Sequence, residues 1–422
     1  MRLIPKFLVF IIGICLVQLK GYSQDSLVTP IASKDTFEQK DIKDWIAAKR
    51  SKPPKPVKDN YLLLMPYISS NPTAGFMIGT GLNYSFKKSK SDERLSLVAA
   101  NISYSTNHLL NFNIKTDIFI LNERLILNGD WRILKSSETT YGLGTKNQNS
   151  KNTGINGYET SDDSLGQALR YNQVRIHETG SWKFFPNFFA GLGIQYDHYY
   201  SIKDQKLENN DTASSYHYQY SKAHRFNPQQ YTSSGFAVNF LYDSRDNQVN
   251  AYKGYYANVN YLIDLTGMGS SANGTILLTE FRSFHSLDKK SRNVIAFWLY
   301  GKYVVSGEVP YLQLPALGYD QRQRTGRGYT YGRFRGENLM YGELEYRFPI
   351  SMRSGILGGV AFMNTTSVSD KKNNVDLLEY FKIGYGGGLR IMMDKTSRTR
   401  LAIDVGVANR VVGFYLAAQE AF

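Results

Sequence analysis

The sequence predicts an all-β protein: a 16-stranded antiparallel transmembrane β-barrel behind a short N-terminal periplasmic segment. Three observations lead there. The N-terminus reads as an export signal, much of the chain alternates apolar and polar residues with period two, and the last ten residues, GFYLAAQEAF, form an aromatic strand pattern closing on Phe422.

Residues 1–23 are expected to be a signal peptide. Arg2 and Lys6 precede an apolar run from Phe7 to Leu19, and Gly21-Tyr22-Ser23 offers small residues for cleavage. That run is short of the ~20 residues a spanning helix needs. The single cysteine, Cys15, lies inside it after Ile14, which suits lipid attachment poorly. The mature chain would therefore hold no disulfide.

Residues 24–60 are expected to be a periplasmic lead and linker. A helix over Thr36 to Arg50 would place Ile42, Trp45 and Ile46 on one side, and Lys52-Pro53-Pro54-Lys55-Pro56 ends it. The segment is too short for a sizeable folded domain, so no array of periplasmic domains is expected.

Residues 61–422 are expected to be the barrel. Strands are placed near 61–69, 75–87, 94–105, 107–119, 123–134, 168–183, 187–201 and 232–245, then 254–265, 273–285, 292–306, 338–349, 354–367, 380–393, 399–409 and 412–422. In 123–133, Leu125, Leu127, Trp131 and Ile133 oppose Asn128, Asp130 and Arg132. In 399–408, Leu401, Ile403, Val405 and Val407 oppose Arg400, Asp404 and Gly406. Charges inward and apolar groups outward describe a wet lumen in a lipid surround. The long connections 135–167, 202–231, 307–337 and 368–379 all follow odd-numbered strands, which puts them at the extracellular end if both termini are periplasmic. The first strand carries Pro66, which has no amide to give to a ladder, so its pairing with the last strand is expected to be short of hydrogen bonds.

Composition agrees. Mean hydropathy is −0.37, yet 14% of residues are aromatic, with 31 Tyr and 23 Phe. A barrel hides its apolar face by alternation, and Tyr and Trp suit membrane interfaces. The formal charge of +14 fits three partners: nucleic acid, phosphate-rich lipid, or buried acidic groups. An exported chain without a basic–aromatic binding motif makes nucleic acid a poor fit. Lipopolysaccharide phosphates fit better, and a solvated basic surface fits equally well.

No enzyme is expected. The six histidines show no metal spacing, no serine sits in a nucleophile elbow, and no cofactor is implied. Asp162 and Asp163, within Glu159 to Ser164, read as a solvated acidic turn more readily than as a calcium loop.

The densest motif lies between residues 315 and 350. It holds Arg322, Arg324, Arg327, Arg333 and Arg335, with Arg327-Gly328-Tyr329 followed by Glu345-Tyr346-Arg347-Phe348-Pro349. A loop this long is costly to order. Arginine forks pair well with carboxylates in a partly desolvated lumen. Parity puts Tyr341, Glu343, Glu345 and Arg347 on one face, so Glu345 can receive Arg327.

This stretch resembles the sixth loop and twelfth strand of the BamA/TamA family of outer-membrane proteins, the bacterial surface antigen family. Tyr242-Asp243-Ser244-Arg245-Asp246-Asn247 with Gly254-Tyr255 resembles the end of its eighth strand. Leu389-Arg390, Ile403-Asp404-Val405-Gly406 and Gly413 to Phe422 resemble its last three strands. The chain departs from the pattern at Gly326, where a branched apolar residue is usual, and at Asn364, which replaces a second acidic partner. The resemblance implies a lumenal loop anchor of Arg327, Gly328, Tyr329 and Glu345 with Asn364 as a neutral second contact. It also implies a terminal insertion signal of Phe414, Leu416 and Phe422. The implied function is insertion or translocation of proteins at the outer membrane, by a barrel lacking periplasmic POTRA domains, with protein clients or a periplasmic accessory protein as partners. The alternative is a passive pore or a surface-exposed binding barrel.

Overall fold

Period-two alternation sets the strands, and each strand follows its sequence neighbour in the sheet. The computed structural model describes residues 39–50, 60–71, 75–87, 94–146, 154–155, 158–159, 166–288, 292–409 and 411–422. The signal segment with Cys15, most of the linker, and Asp162 with Asp163 lie outside the described residues. No described helix is long and apolar enough to cross a membrane.

The first eight long strands are β1 Asn60–Asn71, β2 Gly75–Phe86, β3 Ser96–Ser105, β4 Leu110–Ile120, β5 Leu125–Thr140, β6 Gln167–Phe185, β7 Phe188–Asp204 and β8 Tyr231–Asp243. The next eight are β9 Gly254–Asp264, β10 Gly274–Ser286, β11 Val294–Gly307, β12 Asn338–Pro349, β13 Leu357–Val368, β14 Lys382–Asp394, β15 Thr399–Ala408 and β16 Val411–Ala417. Every consecutive pair is antiparallel. The sixteen strands expected from the sequence are thus present. The connections after β5, β7, β11 and β13 share one rim, here the loop rim. The opposite, turn rim carries both barrel termini.

The faces follow parity. On β5, Trp131 and Ile133 are exposed while Asp130 and Arg132 are buried; on β15, Ile403 and Val405 are exposed while Arg400 and Asp404 are buried. β5, β6 and β7, at 16, 19 and 17 residues, are longer than a membrane crossing of ~9–11 residues needs and reach into a dome at the loop rim. There Tyr171, Tyr199, Phe226, Tyr231, Tyr311 and Leu312 pack together. Residues 135–140 and 202–204, expected as loop, are strand because this packing continues the ladder.

The last strand differs from expectation. It ends at Ala417, not Phe422. Phe414 and Leu416 are exposed on its apolar face, but Phe422 is buried inside against Phe284 and Trp298, with ring centroids 6.0 and 5.2 Å away. Glu420 explains the turn inward: its carboxylate accepts from Arg390 Nε at 2.6 Å within the lumen.

Among the described residues, no ladder joins β1 to β16. The start of β16 instead pairs in parallel with residues 154–155, part of a short hairpin with 158–159 in the β5–β6 connection. Gln419 Nε2 donates to Asn83 Oδ1 on β2 at 3.0 Å. At the turn rim, helix α1, Ile42–Lys49, places Lys43 Nζ 2.9 Å from Asp394 and 4.1 Å from the centroid of the Tyr61 ring. Residues 39–50, within the expected lead, dock on the barrel. The helix starts at Ile42 rather than earlier because Asp41 caps it, accepting from the Lys43 and Asp44 amides at 2.9 and 3.0 Å.

The dome includes helix α2, Tyr216–Ala223, capped by Ser215 Oγ, which accepts from the Tyr218 amide at 2.9 Å. Its His217 is fully buried, with neither ring nitrogen hydrogen-bonded. Burial pushes the imidazole down to about 4, helped by Arg335 and opposed by Asp204, whose carboxylate is 3.8 Å away. A folded-state value below the ordinary 6.5 means that stability is present above pH 6.5 and is lost as pH falls towards 4. The loss amounts to about 3 kcal/mol. Limited proteolysis of the dome loops should accelerate across that window, and His217→Phe should flatten the dependence. An unchanged pH profile in His217→Phe would contradict this assignment.

Candidate functional site

The β11–β12 connection, residues 308–337, enters the lumen as a folded hairpin. Ala316 bridges Arg335, and the Gly318 amide donates to Thr325 Oγ1 at 2.8 Å. Asp320 fixes the tip by accepting from the amides of Arg322, Arg324 and Thr325 at 3.1, 2.9 and 2.8 Å. Gly326 adopts φ +86°, which favours glycine over the expected branched residue; an added Cβ would also strike Leu317 at 2.5 Å.

Arg327 then lands on the wall. Its Nη1 donates to Asp404 Oδ2 at 2.7 Å and its Nη2 to Glu343 Oε1 at 2.5 Å and to Glu345. The guanidinium lies 3.6 Å from the centroid of the Phe362 ring. Register explains the convergence: Glu343 faces Asn364 and Glu345 faces Phe362 across β12–β13.

The contacts continue as an alternating network. Glu345 accepts from Arg347 Nε at 2.7 Å, and Asp404 pairs with Arg390. Arg390 reaches Glu420, which also lies 3.7 Å from Arg400 and 4.0 Å from Arg347. Four arginines thus face four carboxylates in a buried cluster. Arg347 Nη2 also donates to the Phe422 carbonyl at 3.1 Å, tying the tail to β12.

The neighbouring positions hold the main chain. The Gly328 amide donates to Tyr415 Oη at 2.8 Å, and Tyr329 Oη donates to the Ile383 carbonyl at 2.9 Å. Asn364 Nδ2 donates to the Arg327 carbonyl at 2.9 Å. Asn364 is therefore not a second contact of the guanidinium, as expected, but a clamp on the backbone. Facing this backbone are Gly384 and Gly406: a Cβ would come within 2.9 Å of the Arg327 carbonyl at the first and 2.7 Å of the Gly328 amide at the second. The wall is bare so that a peptide can lie against it.

A second anchor sits higher. Arg335 donates to Glu138 at 2.8 Å, to the Tyr311 carbonyl at 2.8 Å and to Tyr319 Oη at 3.0 Å. At the turn rim, the β8–β9 turn reaches across the mouth. Asp246 meets Arg398 at 2.7 Å, Tyr252 Oη accepts from Arg400 at 3.2 Å, and Val249 packs on Leu95 and Leu97. Arg245 forks onto Asp243 at 2.9 and 2.8 Å.

Residues 77–408 match the Omp85 superfamily domain. The chain belongs to the Omp85 superfamily. Among solved structures, this Omp85 barrel is similar to BamA from Haemophilus ducreyi lacking POTRA domains 1–3, with 14% identity and TM-score 0.52 over 86% of this chain and 69% of that one. It is also similar to CdiB from Escherichia coli, with 11% identity and TM-score 0.50 over 86% of this chain and 61% of that one. At these identities the likeness is one of fold. A sequence comparison with curated proteins gives no match.

The structure brings Arg327, Gly328, Tyr329, Glu345 and Asn364 together where the β11–β12 loop meets the wall. Sequence reasoning missed Glu343, Asp404 and Glu420 as partners, and it missed the glycine wall. Signals existed: Gly384, Gly386 and Gly388 alternate on β14, and Glu420 alone interrupts an apolar face.

Removing Arg327 takes a cation from three carboxylates and leaves Glu343 with no arginine partner among the described residues, so Arg327→Ala should destabilise loop docking by ~3–5 kcal/mol, more than Glu345→Ala does. The double change should cost less than the sum. Asn364→Asp should loosen the loop, because it replaces the amide donor to the Arg327 carbonyl with a carboxylate. Thermal unfolding of the variants in detergent checks this; additive singles, or a tighter Asn364→Asp barrel, would contradict it.

Proposed function

We propose that this Omp85 barrel resides in the outer membrane and assists the insertion or translocation of proteins there, working through the β1–β16 seam. The observation that carries the reading is the seam. Fifteen strand pairs are laddered along the sheet, whereas no ladder joins the described residues of β1 and β16: Gln419, past the end of β16, reaches Asn83 on β2, and the hairpin of the β5–β6 connection pairs with the start of β16. An unpaired strand edge is a template for another strand.

The lumen argues against a passive pore. The β11–β12 loop, the C-terminal tail and the β8–β9 turn all occupy it or cross its mouth. Other Omp85 members of similar fold are insertion or translocation barrels, which supports the same reading by analogy. In this orientation the loop rim is extracellular, and clients or an accessory protein would approach from the turn rim. The work is non-enzymatic: it consists of exposing and covering strand edges. Outer-membrane lipid surrounds the apolar girdle, and lipopolysaccharide phosphates would meet the basic groups of the loop rim.

The test is a crosslink across the seam between Leu62→Cys and Leu416→Cys, both on exposed, lipid-facing positions. The crosslinked barrel should remain folded and heat-modifiable yet fail to support outer-membrane protein assembly in cells, and reduction should restore it. Full activity in the crosslinked state would overturn the seam mechanism.

A further inference from the structure

Helix α1 is amphipathic in an inverted sense. Its polar side docks on the barrel. Gln39 Nε2 and the Lys40 amide donate to the carbonyls of Gly355 and Ser354, both at 2.9 Å. Lys43 pairs with Asp394 at 2.9 Å, Asp44 with Lys395 at 3.0 Å, and Asp41 accepts from the Lys395 amide at 3.2 Å. At ~100° per residue, Ile42, Trp45 and Ile46 lie opposite Lys43 and Asp44. Trp45 and Ile46 are 47% and 40% exposed. A helix on a soluble surface does the reverse, burying its apolar side against the protein.

Two further observations identify what covers that side. The first is continuity with the lipid-facing girdle. The β12–β13 turn that holds the start of α1 carries exposed Ile350 and Met352. Ile350 continues the outward parity of Leu344 and Tyr346 on β12, and Leu357 opens the outward face of β13. The second is charge. Lys40, Lys49 and Arg50 are exposed around the helix, and Lys52, Lys55 and Lys58 follow in sequence. Lys49 Nζ lies 4.2 Å from the centroid of the Trp45 ring, the arrangement of a cation held above an aromatic group at an interface.

We infer that α1 is an interfacial anchor. Its Ile42–Trp45–Ile46 face sits in the bilayer leaflet that meets the turn rim, and its lysines and arginine engage anionic phospholipid headgroups. Because Lys43 touches both Tyr61 at the base of β1 and Asp394 at the base of β14, the anchor holds lipid beside the seam. This inference rests on membrane embedding of the barrel and not on what the seam transports.

The experiment uses the full chain with Cys15→Ser, spin-labelled at Ile46→Cys or at Lys40→Cys and reconstituted in phosphatidylethanolamine–phosphatidylglycerol vesicles. Collision with oxygen, which concentrates in lipid, is compared with collision with a water-soluble nickel chelate. The oxygen-to-nickel ratio at Ile46 should exceed that at Lys40 by at least about threefold, as for a face lying in the headgroup–acyl boundary. A label at Leu357→Cys, on the girdle itself, supplies the lipid reference. An Ile46 ratio equal to that at Lys40 while Leu357 reads as lipid would overturn the anchor and leave the face free for a periplasmic protein.

Discussion

The β11–β12 loop, the wall on which it lands and the C-terminal tail are arranged around one buried cluster, in which Arg327, Arg347, Arg390 and Arg400 alternate with Glu343, Glu345, Asp404 and Glu420. The members come from the β11–β12 loop, from β12, β14 and β15, and from the C-terminal tail. A buried ion pair gains little over an apolar contact, but removing one partner leaves a charge that the interior cannot solvate. The cluster is therefore strong as a specifier of arrangement. Loop, wall and tail occupy their places together or leave uncompensated charges behind. Further lumenal arginines are matched by buried acids at Arg335–Glu138, Arg175–Asp197 and Arg245–Asp243. Such pairs cancel within the chain, so the formal excess of +14 resides in the other basic groups.

Glycines give the cluster its reach. An arginine can touch three carboxylates only if its own backbone lies close to the wall, and Gly384 and Gly406 leave that space. The same bareness weakens side-chain packing between β14, β15 and β16, next to the seam. Order at the centre and looseness at the edge are thus produced by neighbouring residues. The tail shows the coupling most directly: Glu420 and Phe422 are drawn inward by Arg390 and Arg347, so β16 stops at Ala417 and offers β1 a short edge.

Much of this was legible in the sequence, for identifiable reasons. Strand periodicity reports which face a residue occupies, so the sixteen strands, the lumenal row on β12 and the pairing of Arg327 with Glu345 could be read. Periodicity does not report which distant strands meet across a lumen. Asp404 was correctly placed inward, yet its contact with Arg327 depends on where a loop of some thirty residues lands. The family pattern makes Asn364 a neutral substitute for an acidic contact, whereas its donor faces the Arg327 carbonyl. The shared parity of Phe414, Leu416 and Phe422 predicts strand to the end, whereas the strand stops at Ala417. Glu420 was the contrary signal, since a carboxylate in a lipid-facing position is costly and has reason to turn inward.

The central claim is that one cluster holds both the loop and the tail. Asp404 is the residue to test, because it lies between Arg327 and Arg390 and belongs to neither segment. Hydrogen exchange of the Asp404→Asn barrel, followed by mass spectrometry, reads the two segments separately. Exchange should rise together in peptides covering 325–330 and 418–422 while the β6–β7 ladder stays protected. A rise confined to the loop, with the tail as protected as before, would show that the two are held independently and would contradict the account.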